Sequence, residues 1–227
     1  MKTGPTSEGV QRMRVLVVDD HPLVREWLTN LINQQPDMTV CAEAADTPEA
    51  LRVTAGSPPD VAIVDISLKS RSGLELIKEL KARFPDVAVL VLSMHDESLY
   101  AERALRAGAR GYIMKRETTS NVIAAIRRVA GGGLYLSESC AVLMAKRNVQ
   151  SSVSASPIGR LSDRELEVFG LLGQGNTTRQ IAETLGVSLN TVQIYCARIK
   201  AKLHLSTATE LLREAIRWHE EKGGGGG

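Results

Sequence analysis

The sequence has few cysteines and aromatic residues, no long apolar run and almost no net charge. Its three cysteines, Cys41, Cys140 and Cys196, are far apart. No CxxC pair or Cys/His ligand spacing occurs, which argues against a disulfide framework or a zinc site. They read as reduced thiols packed like small apolar groups. Two Phe, four Tyr and two Trp in 227 residues leave little surface for a base-stacking platform. The longest apolar run, Val87 to Leu92, is far too short to span a bilayer. The N-terminal MKTGPTSEGVQRM lacks the apolar stretch of a signal peptide. A cytoplasmic address with no membrane partner is the expectation. Lys and Arg total 28 against 26 Asp and Glu, a formal charge of +2. Residues 1–133 carry 17 of each sign, so neither half is a polycation and charge must be judged locally. What is present, 43% hydrophobic and 24% charged residues, is the composition of a soluble protein with real cores.

Between residues 14 and 132, short apolar runs alternate with helical patterns. The runs are Val15–Val18, Met38–Ala42, Val61–Val64, Val87–Leu92 and Gly111–Met114. They are apolar throughout rather than alternating, which predicts a parallel sheet buried on both faces. The intervening segments Leu23–Gln35, Pro48–Ala55, Leu74–Phe84, Ser98–Ala107 and Asn121–Ala130 have helical spacing. Five βα units predict a doubly wound α/β domain with a five-stranded parallel sheet, flavodoxin-like in its order 2-1-3-4-5. After Gly131-Gly132-Gly133 the pattern changes. A short helix is expected over Ser137–Lys146, inside a linker spanning 133–159 whose Ser-rich part covers Asn148–Gly159. Residues 160–220 predict a small all-α domain. Ser162 and Glu165 fit a capping box, Thr177–Leu185 and Ser188–Leu203 flank a turn at Gly186, and Thr207–His219 closes the set. The tails, 1–13 and 221–227, contribute nothing to this reading.

Asp19 and Asp20 follow the first strand and Asp65 the third. In the expected order these strands are neighbours at the topological switch point, so three carboxylates converge at one sheet edge. Unscreened they repel one another. Mg²⁺ suits such a site, because it takes few carboxylates and completes its shell with water and phosphoryl oxygens. Ser93 ends the fourth strand and Lys115 the fifth, bringing a hydroxyl and an ammonium to the same rim. Together these groups suit phosphoryl transfer, in which charge spreads over equatorial oxygens. The plainer reading of Asp20, a helix cap before His21-Pro22, stands beside this one.

These five residues resemble the receiver domain of two-component response regulators, over 14–132. Residues 160–220 resemble the LuxR-type helix-turn-helix. The combination is similar to transcriptional regulators of the NarL/FixJ subgroup. The resemblance implies Asp65 as phospho-acceptor, an acid pair at Asp19 and Asp20, and the Ser67 backbone carbonyl as a further Mg²⁺ ligand. It implies Ser93 as switch hydroxyl, Tyr112 as switch aromatic, Lys115 against the phosphoryl group and a sensor histidine kinase as partner. Ser93 would turn to the phosphoryl group and Tyr112 rotate into the space it leaves. Lys69 stands where the family usually has Pro. His21 and His95 flank the site and read as surface residues near the rim, with His95 and Ser67 placed to limit access of water. An appended-module α/β hydrolase is the rival from another class; GxxxxGK, GxSxG and HExxH are all absent. The protein is thus expected to act as a phosphorylated regulator rather than an enzyme.

In the second domain, Val192, Ile199 and Leu203 share one face of the third helix and should pack inward. Asn190, Gln193, Ile194 and Ala197 lie on the opposite face. Across 176–206, Arg179, Arg198, Lys200 and Lys202 face Glu183 alone, an excess that suits DNA phosphates. The expectation is a helix in the major groove of double-stranded DNA. Asn190 and Gln193 would lie nearest base edges, Ile194 or Ala197 against a thymine methyl, and Thr191, Arg198, Lys200 and Lys202 against phosphates. Relatives commonly carry a Lys or Arg at Asn190 and a His at Tyr195. Leu211, Leu212, Ala215 and Ile216 offer an apolar face for a homodimer of the active form, reading inverted half-sites about one helical turn apart.

Overall fold

A computed structural model of the chain describes residues 12–69, 72–95, 97–138, 140–142, 144 and 157–223. The chain divides into two compact units, the first ending at Met144.

The first unit alternates β1 (Met13–Val18), α1 (Pro22–Asn33), β2 (Met38–Ala44), α2 (Thr47–Gly56), β3 (Val61–Val64), α3 (Gly73–Arg83), β4 (Ala88–Ser93), α4 (Glu97–Ala107), β5 (Gly111–Met114) and α5 (Thr119–Ala130). The strands form one parallel sheet in the order β2-β1-β3-β4-β5. Val15 to Val18, Val61 to Val64 and Ala88 to Leu92 are buried throughout, because helices cover both faces. α5 shows the opposite logic. Val122, Ile123, Ala125, Ile126 and Val129 are buried at helical spacing while Arg127 and Arg128 face out. β1 and β3 are adjacent, with Val18 opposite Val64, so the residues after each emerge side by side at one edge. Beyond α5 the chain returns to the sheet. Tyr135 bridges Gly111 in parallel, a pairing that follows from no strand-like run.

Of the short helix expected over 137–146, residues 138, 140–142 and 144 are helical, and the remainder lies outside the described residues. So does most of the Ser-rich stretch, which ends in a single 3₁₀ turn at Pro157–Arg160.

The second unit is helical: α6 (Asp163–Gly173), α7 (Thr178–Leu185), α8 (Leu189–Leu203) and α9 (Ala208–Gly223). The capping box at α6 is present, with Ser162 N–H donating to Glu165 at 2.7 Å. A second one opens α7, where Thr177 N–H donates to Gln180 at 2.8 Å. Gly186 ends α7 at φ 62°, a left-handed conformation that lets α8 start at once from its Ser188 cap. Phe169 and Trp218 meet at 5.3 Å within a core that includes Leu166, Ile181, Val192, Ile199 and Leu211. Val192 and Ile199 are fully buried, as the periodicity predicts, and Leu203 only partly.

Candidate functional site: a buried acidic cluster and a helix-turn-helix

Asp19 and Asp65 leave the ends of β1 and β3 as buried side chains, and Asp20 is half-buried. Carboxylate oxygens of all three, with a ring nitrogen of His21, lie within 4.8 Å of one another. α1 begins at Pro22 with His21 as its cap residue, so Asp20 does not act as the cap. Instead Asp19 Oδ1 accepts the His21 N–H at 2.9 Å, and His21 Nδ1 lies 2.8 Å from Asp20. The loop after Asp65 folds back on the strand end, with Gly73 N–H donating to the Ile66 carbonyl at 2.8 Å. A Cβ at Gly73 would fall 1.9 Å from the Asp65 carbonyl oxygen, so only glycine permits this close return.

Lys115, at the end of β5, places its ammonium 2.6 Å from Asp19 and 2.8 Å from the Oδ2 of Asp65. Burial pulls the lysine down, but Asp65 and Asp19 outweigh it and hold it above its ordinary value. Burial pushes Asp65 up; Lys115 opposes this and Asp19 adds to it, leaving the carboxyl above its ordinary range. The other oxygen, Oδ1, is buried and has no hydrogen-bond partner among the described residues. An orphaned oxygen, surplus negative charge and clustered carboxylates fit a divalent cation, with oxygen donors of the kind Mg²⁺ takes.

Ser93 is fully buried, and its Oγ accepts the His95 N–H at 3.1 Å. His95 is more embedded than a rim residue. Its Nε2 lies 2.7 Å from Ser67 Oγ and its ring stacks on Tyr100 at 4.6 Å. Burial and then Lys115 pull it down to about 4, so the ring is neutral at physiological pH. Tyr112 is completely buried, its hydroxyl donating to the His95 carbonyl at 2.8 Å. The inward position expected after rotation is thus already occupied. His21, by contrast, is a surface residue as expected.

On α8, Asn190, Gln193, Ile194, Ala197 and Arg198 are exposed together, and Thr191 and Lys200 are half-exposed. Thr191 shares the cap, its N–H donating to Ser188 at 3.0 Å. Lys202 stands apart. Its ammonium is 2.5 Å from the buried Glu165 and 3.3 Å from the Arg160 carbonyl, so a phosphate contact would compete with that pair. Burial pushes Glu165 up, but Lys202 and the hydrogen bonds with Ser162 together outweigh it and hold the carboxyl below its ordinary range. The apolar face expected on α9 is corrected. Leu211 and Ala215 are 3% and 0% exposed because they pack in the domain core, while Leu212 and Ile216 are 41% and 36% exposed.

Residues 15–127 match the response regulator receiver domain family, and residues 159–215 match the bacterial regulatory proteins of the luxR family. The oxygen regulatory protein NreC of Staphylococcus epidermidis is 35% identical over 212 residues, covering 90% of this chain and 97% of that one. NreC of Staphylococcus carnosus is 34% identical over 211 residues, with the same coverage. Among solved structures, a LuxR-family two-component response regulator from Aurantimonas sp. SI85-9A1 is 33% identical with a TM-score of 0.57. It covers 61% of this chain and 99% of its own. RcsB of Salmonella enterica serovar Typhimurium, bound to promoter rprA with the phosphomimetic BeF3-, is 25% identical with a TM-score of 0.59, covering 89% and 98%.

The chain belongs to the response regulators that join a receiver domain to a LuxR-type DNA-binding domain. It is a DNA-binding transcription regulator controlled by a kinase. Among the described residues, no helix is long and apolar enough to cross a membrane.

Proposed function

We propose that Asp65 accepts a phosphoryl group from the histidine of a sensor kinase. An Asp65 oxygen attacks phosphorus, the bond to the donor imidazole breaks, and the imidazole leaves with the electron pair. The observation that carries this reading is the orphaned, buried Oδ1 of Asp65 beside an Oδ2 held at 2.8 Å by Lys115. One oxygen is anchored and the other is available for bond formation. Asp19 positions the Lys115 ammonium, which neutralises charge on the transferred group. Ser93 supplies a hydroxyl to the same group. Mg²⁺ held by Asp20, Asp65 and the Ser67 carbonyl, with Asp19 orienting its water, would supply further neutralisation of the phosphoryl oxygens. Slow loss of the group to water resets the protein.

In the second unit, α8 enters the major groove. Asn190 and Gln193 present amides to base edges, Ile194 and Ala197 present apolar surface to thymine methyls, and Thr191, Arg198 and Lys200 meet phosphates. Leu212 and Ile216, one turn apart and exposed on α9, remain available for pairing two copies on inverted half-sites. Phosphorylation promotes that pairing or frees the second unit, and so couples to promoter binding. Domain limits of 14–132 and 160–220, a linker over 133–159, magnesium dependence and a cytoplasmic setting complete the reading.

Intact mass measured after incubation with acetyl phosphate and Mg²⁺ tests the chemistry. The wild type should gain one phosphoryl group, and Asp65→Asn should fold normally and gain none. Full incorporation in the variant, or continuous phosphate turnover at enzyme-like rates, would reject the assignment.

A further inference from the structure

His21 follows the acid pair directly, at the position that caps α1. A residue there ordinarily turns its side chain to the free N–H groups of the first helical turn. The His21 side chain makes no such bond. Its ring turns the other way, with Nδ1 2.8 Å from Asp20 Oδ1 and 3.2 Å from Asp19 Oδ1. Among the described residues the ring makes no other hydrogen bond or ion pair. The ring is 64% exposed, so backbone bonds rather than packing place it. Asp19 N–H donates to the Ala44 carbonyl at 3.1 Å, and Arg25 donates to the Asp19 carbonyl at 2.6 Å. The His21 N–H donates to Asp19 Oδ1 at 2.9 Å, and Pro22 fixes the backbone that follows.

These contacts set a nitrogen donor among carboxylate oxygens. One donor atom from each of Asp19, Asp20, Asp65 and His21 lies within 4.8 Å of the others. Neighbouring ligands on an octahedron, each about 2.1 Å from the ion, are about 3.0 Å apart. The two Nδ1 distances fall on either side of that spacing. Asp65, only 2% exposed, adds an Oδ1 with no hydrogen-bond partner among the described residues. Lys115 takes the Oδ2 atoms of Asp19 and Asp65 and leaves their other oxygens to the side of the cluster where His21 stands. Oxygens alone suit Mg²⁺, which also keeps several waters. Imidazole nitrogen suits first-row transition-metal ions.

We propose that His21 Nδ1 is a ligand of the divalent ion at this site, and that it selects a first-row transition-metal ion over Mg²⁺. The inference rests on the reading above that the cluster holds a divalent cation beside Asp65. A neutral imidazole gives the ion a lone pair without adding to the negative charge of three carboxylates. The oxygens hold a cation beside the acceptor, and the nitrogen decides which one.

Two variants of the full, untagged chain test this. His21→Ala removes the ring, whereas His21→Gln keeps a side-chain donor to the carboxylates and offers an oxygen in place of the nitrogen. Titration with Co²⁺, and with Mg²⁺ by competition, gives both affinities. Each variant should bind Co²⁺ at least about tenfold more weakly than wild type, and Mg²⁺ within about twofold of it. Pulsed electron paramagnetic resonance of Mn²⁺-loaded wild type should show nitrogen coupling from a bound imidazole, and both variants should lose it. A ring that only hydrogen-bonds the carboxylates behaves differently. Co²⁺ and Mg²⁺ affinities would then change in equal proportion, His21→Gln would bind Co²⁺ like wild type, or the nitrogen coupling would be the same in all three proteins. Any of these results overturns the assignment of His21. Intact mass after acetyl phosphate and Mg²⁺ scores the acceptor reading separately. An adduct without His21-dependent selectivity rejects the ligand and keeps the acceptor. No binding of any of the three ions to wild type rejects the cation reading and the ligand together.

Discussion

Each unit of this protein sets a lysine against buried carboxylate, and the two arrangements differ in one respect that decides their roles. In the second unit, Lys202 meets Glu165, whose Oε2 also accepts the Ser162 amide. The charges balance, and the glutamate sits below its ordinary pKa range. In the first unit, Lys115 faces Asp19 and Asp65 at once, with Asp20 close by. Negative charge is in surplus, one Asp65 oxygen has no hydrogen-bond partner among the described residues, and the carboxyl sits above its ordinary range. The same pair of functional groups thus gives a satisfied structural tie in one place and an incomplete site in the other. Incompleteness in a buried polar cluster is costly, and a fold tolerates it where a ligand completes it.

Removing each ammonium should expose this difference, with the largest effect at Lys115. Lys115→Ala leaves two buried carboxylates without their cation and should cost the first unit about 3 kcal/mol in metal-free buffer. Millimolar Mg²⁺ should restore much of that loss, because a second cation fits the same oxygens. Lys202 is 39% exposed, so Lys202→Ala should cost the second unit only about 1 kcal/mol, with no response to Mg²⁺. Exchange of the most protected amides of β3 and α8 reads the two stabilities separately. An equal Mg²⁺ response in the two variants would abolish the distinction.

Acid should then separate the units with opposite signs. Glu165 is held below its ordinary value, so its charge stabilises the second unit above the usual glutamate range, and that stability is lost as pH falls through it. Glu165→Gln keeps a capping side chain, and should remove about 1 kcal/mol of the acid sensitivity that appears as pH falls below the usual glutamate range. Asp65 is held above its ordinary value. Its ionisation opposes folding, and the penalty disappears as pH falls through the raised value. The stability of wild type relative to Asp65→Asn should therefore rise on mild acidification in the absence of metal. Parallel acid limbs for the two units would contradict the charge balance described here.

Most of the first site was readable in the chain before folding. Apolar strand runs fixed five parallel strands, and the placing of Asp19, Asp20, Asp65, Ser93 and Lys115 at strand ends brought them to one edge. What periodicity could not reach were contacts made by backbone or across long separations. The Tyr135 bridge is a pairing of main-chain groups without side-chain alternation, and Glu165 lies 37 residues from Lys202. His95 read as a rim residue because its Ser67 partner lies 28 residues away, although Tyr100, whose ring it stacks on, is only five residues further along the chain. On α9, adjacent apolar pairs at 211–212 and 215–216 define two neighbouring stripes. Helical spacing alone does not say which stripe enters the core, and packing against α6 selects Leu211 and Ala215.

The smallest expected effect concerns DNA, and it asks whether the Lys202 tie is as complete as its geometry indicates. Lys200 and Lys202 are both near the end of α8 and carry the same charge, so composition alone assigns both to phosphates. Lys200 is half-exposed, and no hydrogen bond or ion pair of its ammonium is found among the described residues. The Lys202 ammonium already has a carboxylate at 2.5 Å and a carbonyl at 3.3 Å. A lysine that neutralises a phosphate releases condensed counterions, and its loss lowers the salt slope of double-stranded binding by about 0.9. Lys200→Ala should show that change. Lys202→Ala should leave the slope nearly as it is and weaken binding only through the lost stability of the second unit. Both variants should keep the preferred sequence, since phosphate contacts set register without reading bases. Binding titrations at several salt concentrations distinguish the two. A full drop in slope for Lys202→Ala would mean that the lysine leaves Glu165 on the DNA, and that the second unit's ion pair is exchangeable.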